Sequence, residues 1–209
     1  MKKYFNYILI LSGVIAFFAG CVKDLTGTVY NGPLLVEIDA TSLNSNSTGQ
    51  TYPILTRIPA VGRPLTIACP DSTLRRYPQT IRVRVNLVGA QSSKDIPVTY
   101  EVFGSPITTI AFPATIAANA MLGCPTAQIP SAAAATLTVS DAVAGTHFTA
   151  LSGTVVIPAN SSFGFIDIQI LNPGTTAGTA KFLGIRLKDN ESIKVSVNYK
   201  QIGLVIDQR

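Results

Sequence analysis

The sequence predicts an all-β chain, an immunoglobulin-like antiparallel β-sandwich. Three observations carry that prediction. Apolar residues recur at every second position in about seven short runs, the period of a strand with one wet face. Turn residues punctuate those runs at short intervals. No apolar stripe of helical period is long and free of proline. The totals agree: 209 residues with 47% hydrophobic and 13% charged side chains can build a core and are too apolar for disorder. A closed barrel is the alternative. A membrane-embedded barrel would need more ten-residue alternating segments, with aromatic girdles.

Leu34, Val36 and Ile38 predict a first strand, and 41–49 is a Ser/Thr/Asn-rich loop. Residues 50–79 carry Pro53, Pro59, Pro64, Pro70 and Pro78, so strands there are short or on an edge. Ile81, Val83, Val85 and Leu87 then alternate with Arg82, Arg84 and Asn86. After the loop Gly89–Asp95 comes a second alternating run, Ile96, Val98, Tyr100 and Val102, and the two predict a hairpin with a long loop. Residues 104–135 read as an insertion. Within it, Ala114–Ala120 offers a helical turn bounded by Pro113 and Pro125.

Val155–Ile157, closed by Pro158-Ala159-Asn160, is the next strand. Ile166, Ile168 and Ile170 alternate with Asp167 and Gln169 before Asn172-Pro173-Gly174 turns the chain. Leu183, Ile185 and Leu187 follow, ended by Lys188-Asp189-Asn190. Ile193, Val195, Val197 and Tyr199 share odd parity, whereas Ile202, Leu204 and Ile206 are even. One extra residue flips a strand's facing, so a bulge or break is expected near Lys200 and Gln201.

The N-terminus has a different grammar. Lys2 and Lys3 precede the apolar run Ile8–Phe18, a length that suits a signal peptide and falls short of the ~20 residues of a spanning helix. Phe18-Ala19-Gly20-Cys21 follows at once and resembles the lipobox of bacterial lipoproteins, with Phe18 where Leu is commonest. That resemblance implies cleavage before Cys21, diacylglycerol on its thiol, and durable anchoring, because each buried CH₂ contributes about 0.8 kcal/mol. The expected organisation is a leader over 1–20, the lipidated Cys21 with a tether over 21–32, and a β domain over 33–209 with irregular insertions near 41–79 and 104–135. The membrane, reached through the lipid on Cys21, is the first expected partner. An outer-membrane address follows from the resemblance. Val22-Lys23-Asp24-Leu25 holds a single acid and does not choose between the periplasmic and the surface-facing leaflet.

Two cysteines remain, Cys69 and Cys124, each followed by proline. In an exported chain an even pair favours a disulfide. The alternative is two buried free thiols. Neither has a CxxC or a histidine nearby, so no metal site is expected of them. Of the 16 Lys+Arg, Lys2 and Lys3 belong to the leader, leaving 14 scattered ones against 11 Asp+Glu. Without a dense basic run, nucleic-acid binding is not expected.

The stretch Ala144-Gly145-Thr146-His147-Phe148, Ser152-Gly153-Thr154 through Asn160-Ser161-Ser162, and Ile166–Ile170 resembles Calx-beta-like repeats, above all those of immunoglobulin-like lipoproteins of the Bacteroidota. Leu87-Val88-Gly89, Ile96–Tyr100 and Asn198-Tyr199-Lys200 opening the last strand extend the resemblance over roughly 80–207. It implies a sandwich. Some such domains bind Ca²⁺ through clustered carboxylates, but here His147 replaces the acidic position of the motif, and Asp141, Asp189 and Glu191 are scattered. No metal and no cofactor is expected. Related lipoproteins accompany nutrient-uptake systems of the starch-utilisation type.

Candidate chemistry is sparse. His147 with Ser152 and Asp141 would make a hydrolytic trio, but no nucleophile elbow accompanies them, and His147 reads as a turn residue. Asp167 and Asp189 would make a carboxylate pair, although one reads as a strand's wet face and the other as a turn. Tyr52 and Tyr77, in Pro-rich loops, are the candidate ligand-contacting aromatics, with loop packing as the alternative. No catalytic residue is assigned. The expected function is a non-enzymatic interaction or structural module at the outer membrane, with another cell-envelope protein as partner. The alternative is a glycan-binding accessory lipoprotein of an uptake system.

Overall fold

A computed structural model describes residues 32–39, 47–59, 73–114 and 132–209. Cys21, Cys69 and Cys124, and with them the leader, the tether and the disulfide, lie outside the described residues. Among the described residues eleven strands follow one another: β1 (Leu35–Ile38), β2 (Ile54–Leu55), β3 (Gln79–Val88), β4 (Ile96–Phe103), β5 (Thr109–Phe112), β6 (Ala135–Asp141), β7 (Thr154–Ile157), β8 (Phe163–Ile170), β9 (Thr179–Lys188), β10 (Lys194–Val195) and β11 (Gln201–Asp207). They form two sheets. The first has the order β10-β1-β3-β8, and the second runs β2-β11-β9-β4-β7 with the β5–β6 pair attached to β9 through β6. The unit Pro33–Arg209 is thus an all-β sandwich.

Alternation builds the core between the sheets. Val36 and Ile38, Ile81 to Leu87, and Ile166 to Ile170 come from the first sheet. Ile96 to Tyr100, Val155 and Ile157, Leu183 to Leu187, and Ile202 to Ile206 come from the second. These inward residues are nearly all fully buried, as period-two patterning requires.

Four expectations change. First, β3 and β4 are not a hairpin: β3 pairs with β1 and β8, and β4 with β7 and β9. The loop 89–95 crosses from one sheet to the other. Two strands that bury one face in a shared core alternate identically whether they lie side by side or face to face. Second, 104–135 is not simply an insertion. It contains β5, which pairs antiparallel with β6 from Thr109↔Thr138 to Phe112↔Ala135. Third, β6 itself had no predicted counterpart, although Leu137 and Val139 alternate inward. Fourth, Val197 and Tyr199 do not continue an inward face. The strand β10 ends at Val195 and β11 starts at Gln201, so Asn198-Tyr199-Lys200 is the bend before the last strand. The parity switch is thus a full break, and across it the chain changes sheets.

A second, smaller core explains why β9 and β11 are buried on both faces. Phe112, Leu137, Val139, Ala180, Phe182 and Val205 cluster on the outer side of the second sheet, with Ile54, Phe103 and Ile107 against them. Gly184 and Gly203 are direct partners there. A Cβ on Gly184 would meet the Phe103 ring at 2.6 Å, and one on Gly203 would meet the Phe182 ring at 2.6 Å. The two glycines form a trough that two rings fill.

The edge of β11 is covered in two pieces. Beside Gly203 and Leu204 runs β2, in parallel; farther along, Arg75 bridges to Asp207. Arg76 fixes this lane by donating to Gln208 O at 3.2 Å, to Asn172 Oδ1 at 2.5 Å and to Thr175 Oγ1.

Candidate functional site

The outer face of the first sheet is built by simple alternation. With Ile81 to Leu87 inward, β3 leaves Thr80, Arg82, Arg84 and Asn86 outside; with Gly164 to Ile170 inward, β8 leaves Phe163, Phe165, Asp167 and Gln169 outside. The antiparallel register sets these opposite one another, as Thr80↔Gln169, Arg82↔Asp167, Arg84↔Phe165 and Asn86↔Phe163. Glu37 of β1 lies opposite Asn86 on the other side.

The contacts follow the register and its diagonals. Thr80 Oγ1 donates to Gln169 Oε1 at 2.6 Å. Arg82 forks onto Asp167 at 2.7 and 3.1 Å and lies 4.6 Å from the Phe165 ring centroid. Arg84 lies 4.1 Å from the Phe163 centroid and leans toward the buried Asp39 at 3.7 Å. The rings meet edge to face at 5.4 Å. The Arg82–Asp167 pair is solvated, and such contacts on an open face add little to stability. These contacts position the side chains more than they stabilise the fold.

Electrostatically the face is mixed. Arg82 and Arg84 stand among Glu37, Asp39 and Asp167, so it attracts neither nucleic acid nor a simple anion. Burial pushes the Glu37 carboxyl above the usual carboxylate range; a hydrogen bond with Ser196 opposes this and the nearby Asp39 adds to it. Asn86 Oδ1, between Phe163 and Glu37 in register, is buried without a hydrogen-bond partner.

The predicted site residues fall elsewhere. Tyr52 is 7% exposed and packs edge-on against Phe103 at 5.6 Å. It is therefore a packing residue, not a platform for a ligand. Tyr77 is half-buried, with Arg76 over its ring at 4.9 Å and Arg75 at 5.7 Å. The hydrolytic trio does not assemble as such. His147 Nδ1 accepts the Val143 amide at 3.0 Å, Asp141 accepts the Ser105 amide at 2.7 Å, and the Ser152 hydroxyl donates to Thr154 O at 2.8 Å. Asp167 is held by Arg82, whereas Asp189 accepts the Val195 amide at 2.9 Å. That hydrogen bond, with Lys194 and Lys200 nearby, holds the Asp189 carboxyl below its ordinary range. Among the described residues no three His, Cys, Asp or Glu side chains converge on one point.

No family model matches this sequence, and no curated protein matches it. Solved structures of low similarity do. The apo form of the Calx CBD1 domain is 17% identical over 61% of this chain and 82% of its own, with a TM-score of 0.34. CBD12 from CALX1.2 gives the same identity and score over 61% of this chain and 38% of its own. A protein from Bacteroides ovatus, whose name proposes carbohydrate binding, is 12% identical over 67% of this chain and 33% of its own, with a TM-score of 0.36. Scores of this size leave the sandwich resting on the chain's own strand pairing.

Sequence reasoning missed Phe163 and Phe165. The signal was present: two aromatics at the wet parity of a strand whose dry parity is Ile166, Ile168 and Ile170.

Proposed function

We propose that the chain is a non-enzymatic interaction module, held at the outer membrane by lipid on Cys21, whose first sheet offers its outer face to another cell-envelope protein. The observation that carries this reading is the pair of rings Phe163 and Phe165, left half-exposed on a wet face with Arg84 and Arg82 stacked on them. Aromatic and arginine side chains dominate the energetics of protein interfaces because they bring large, stiff, planar surfaces at low entropic cost. The forked Asp167 holds Arg82 flat, so part of that ordering is done before a partner arrives.

The same face favours a second reading. Gln169 and Asp167 are planar polar groups beside aromatic rings, the pairing that meets sugar hydroxyls and the C–H face of a pyranose. A glycan-binding accessory lipoprotein of an uptake system would use it so.

Two measurements test these readings. A photo-crosslinking phenylalanine analogue at 165 should give a discrete product in cell envelopes, and the same analogue at 102, on the second sheet, should not. Equal products from both positions would sink the face as a contact surface. A glycan array answered by wild type and lost by Phe165→Ser would select the second reading. For the anchor, an alkyne fatty acid should label wild type and not Cys21→Ala.

A further inference from the structure

We propose that the β1–β10 edge of the sandwich rests on the phospholipid surface itself, with Val197 and Tyr199 reaching into the headgroup layer. The proposal rests on the lipid anchor at Cys21 proposed above and adds an orientation to it. Among the described residues, Val197 is 81% exposed and Tyr199 44% exposed, on the bend between β10 and β11. Both belong to a lane that runs parallel to β1: Lys194 and Val195 pair with Leu35 and Val36, Ser196 N donates to Val36 O, and Tyr199 O accepts from Ile38 N. Asn198 N bonds to Ser196 Oγ at 3.4 Å, closing the turn that throws Val197 outward. An aliphatic tip beside a tyrosine is the pairing that settles at a membrane–water interface, the ring in the apolar boundary and the hydroxyl in water.

The position of this lane singles out lipid as the occupant. The described chain begins at Gly32, and Leu34, itself 42% exposed, precedes the first residue of β1. Lys194 is the strand partner of that residue, so Val197 lies only about 10 Å farther along the same edge. Cys21 is separated from Leu34 by a segment that extends at most about 45 Å. The lipid therefore holds the whole domain near the bilayer, and the exposed apolar pair is what would select this edge. A contact too weak to bind from solution becomes intramolecular there and needs only to orient the domain. Charge does not drive it: Lys194 is 3.4 Å from Asp189, Lys200 acts on the same carboxylate, and Glu191 two residues on brings the acids level with the two lysines. The surface suited is a zwitterionic one, with contact that salt does not disrupt.

The chain has no tryptophan, so a single one is a unique reporter. Tyr199→Trp is the probe. Val102→Trp and Val156→Trp are controls, because Val102 (45%) and Val156 (46%) are as exposed as Tyr199 (44%) but belong to the second sheet. The full lipidated chain is reconstituted into phosphatidylcholine vesicles with brominated acyl chains. Trp at 199 should be quenched at least about twofold more than either control, since all three share tryptophan's own interfacial preference. Adding Val197→Asp to the probe should return its quenching to the control level. Equal quenching at 199, 102 and 156, in protein that floats with the vesicles, would overturn the docking edge and leave the anchor standing. Wild-type protein that fails to float would overturn both.

Discussion

His147 is a buried imidazole whose Nδ1 accepts the Val143 amide, inside the turn that joins β6 to the bridge at Phe148. Burial, then the positive charge of Lys181, lowers its proton affinity below the ordinary histidine value. The sign of the pH effect follows. Below about pH 6.5 the unfolded chain takes up a proton that the folded chain resists, so stability falls on acidification and is restored as pH rises through that range. Asn offers its Oδ1 near the position of Nδ1 and does not titrate. Between pH 7.5 and 5, His147→Asn should lose less melting temperature than wild type. Parallel curves for the two proteins would show that His147 takes no part. The same residue illustrates what was legible at this scale. Its role as a turn residue could be read from Gly145 beside it and from the lack of partners. Its burial could not, because nothing local announces that Phe148 and Leu171 close over that turn.

At the scale of the element, the Gly184–Gly203 pair is the sharpest determinant. Glycine usually weakens a strand, and here two of them face each other in the middle of the second sheet. They are required because the Phe103 and Phe182 rings occupy the space of their missing side chains. Phe103 is further fixed by Tyr52 edge-on and by Arg186 at 4.7 Å from its centroid, so it has little room to yield. Gly184→Ala should destabilise the fold by about 1–3 kcal/mol, the usual cost of overpacking. Equilibrium denaturation should show this as a lower midpoint with an unchanged slope; an unchanged midpoint would mean that the ring simply rotates away. Strands were legible where alternation was strict, as in β3, β8 and β9, because their burial is set by local period. Pairing was not. The assignment of β3 and β4 to different sheets depends on which strand each meets across tens of residues. Likewise, β6 was hidden because Ala132–Ala135 gives it a featureless start.

For the whole molecule, the two cysteines beyond the described residues link fold to compartment. Cys69 belongs to the segment between Pro59 and Thr73, and Cys124 to the segment between β5 and β6. A bridge between them would close a loop of about 55 residues in the unfolded chain, and reduction would cost about 2–4 kcal/mol. Mass spectrometry of denatured protein purified without reductant from an oxidising compartment should find no alkylated Cys69 or Cys124. Two alkylated thiols would refute the bridge. The sandwich is foreseeable from composition and period, but the candidate face is not: Tyr52 and Tyr77 are loop aromatics in the sequence, yet Tyr52 supplies packing and a strand supplies the open rings.

The strand order also bears on how such a chain is made. The first sheet needs β1 beside β10, and the second needs β2 beside β11, so each is closed by residues from the two ends of the described chain. Leu35 waits for Lys194, and Ile54 for Gly203. During synthesis neither sheet can be completed until residues 194–204 have left the ribosome, and closing loops of that length makes folding slow. A chain that a leader would send through a translocon must travel as an unfolded thread. This topology keeps both sheets open until the last strands described arrive.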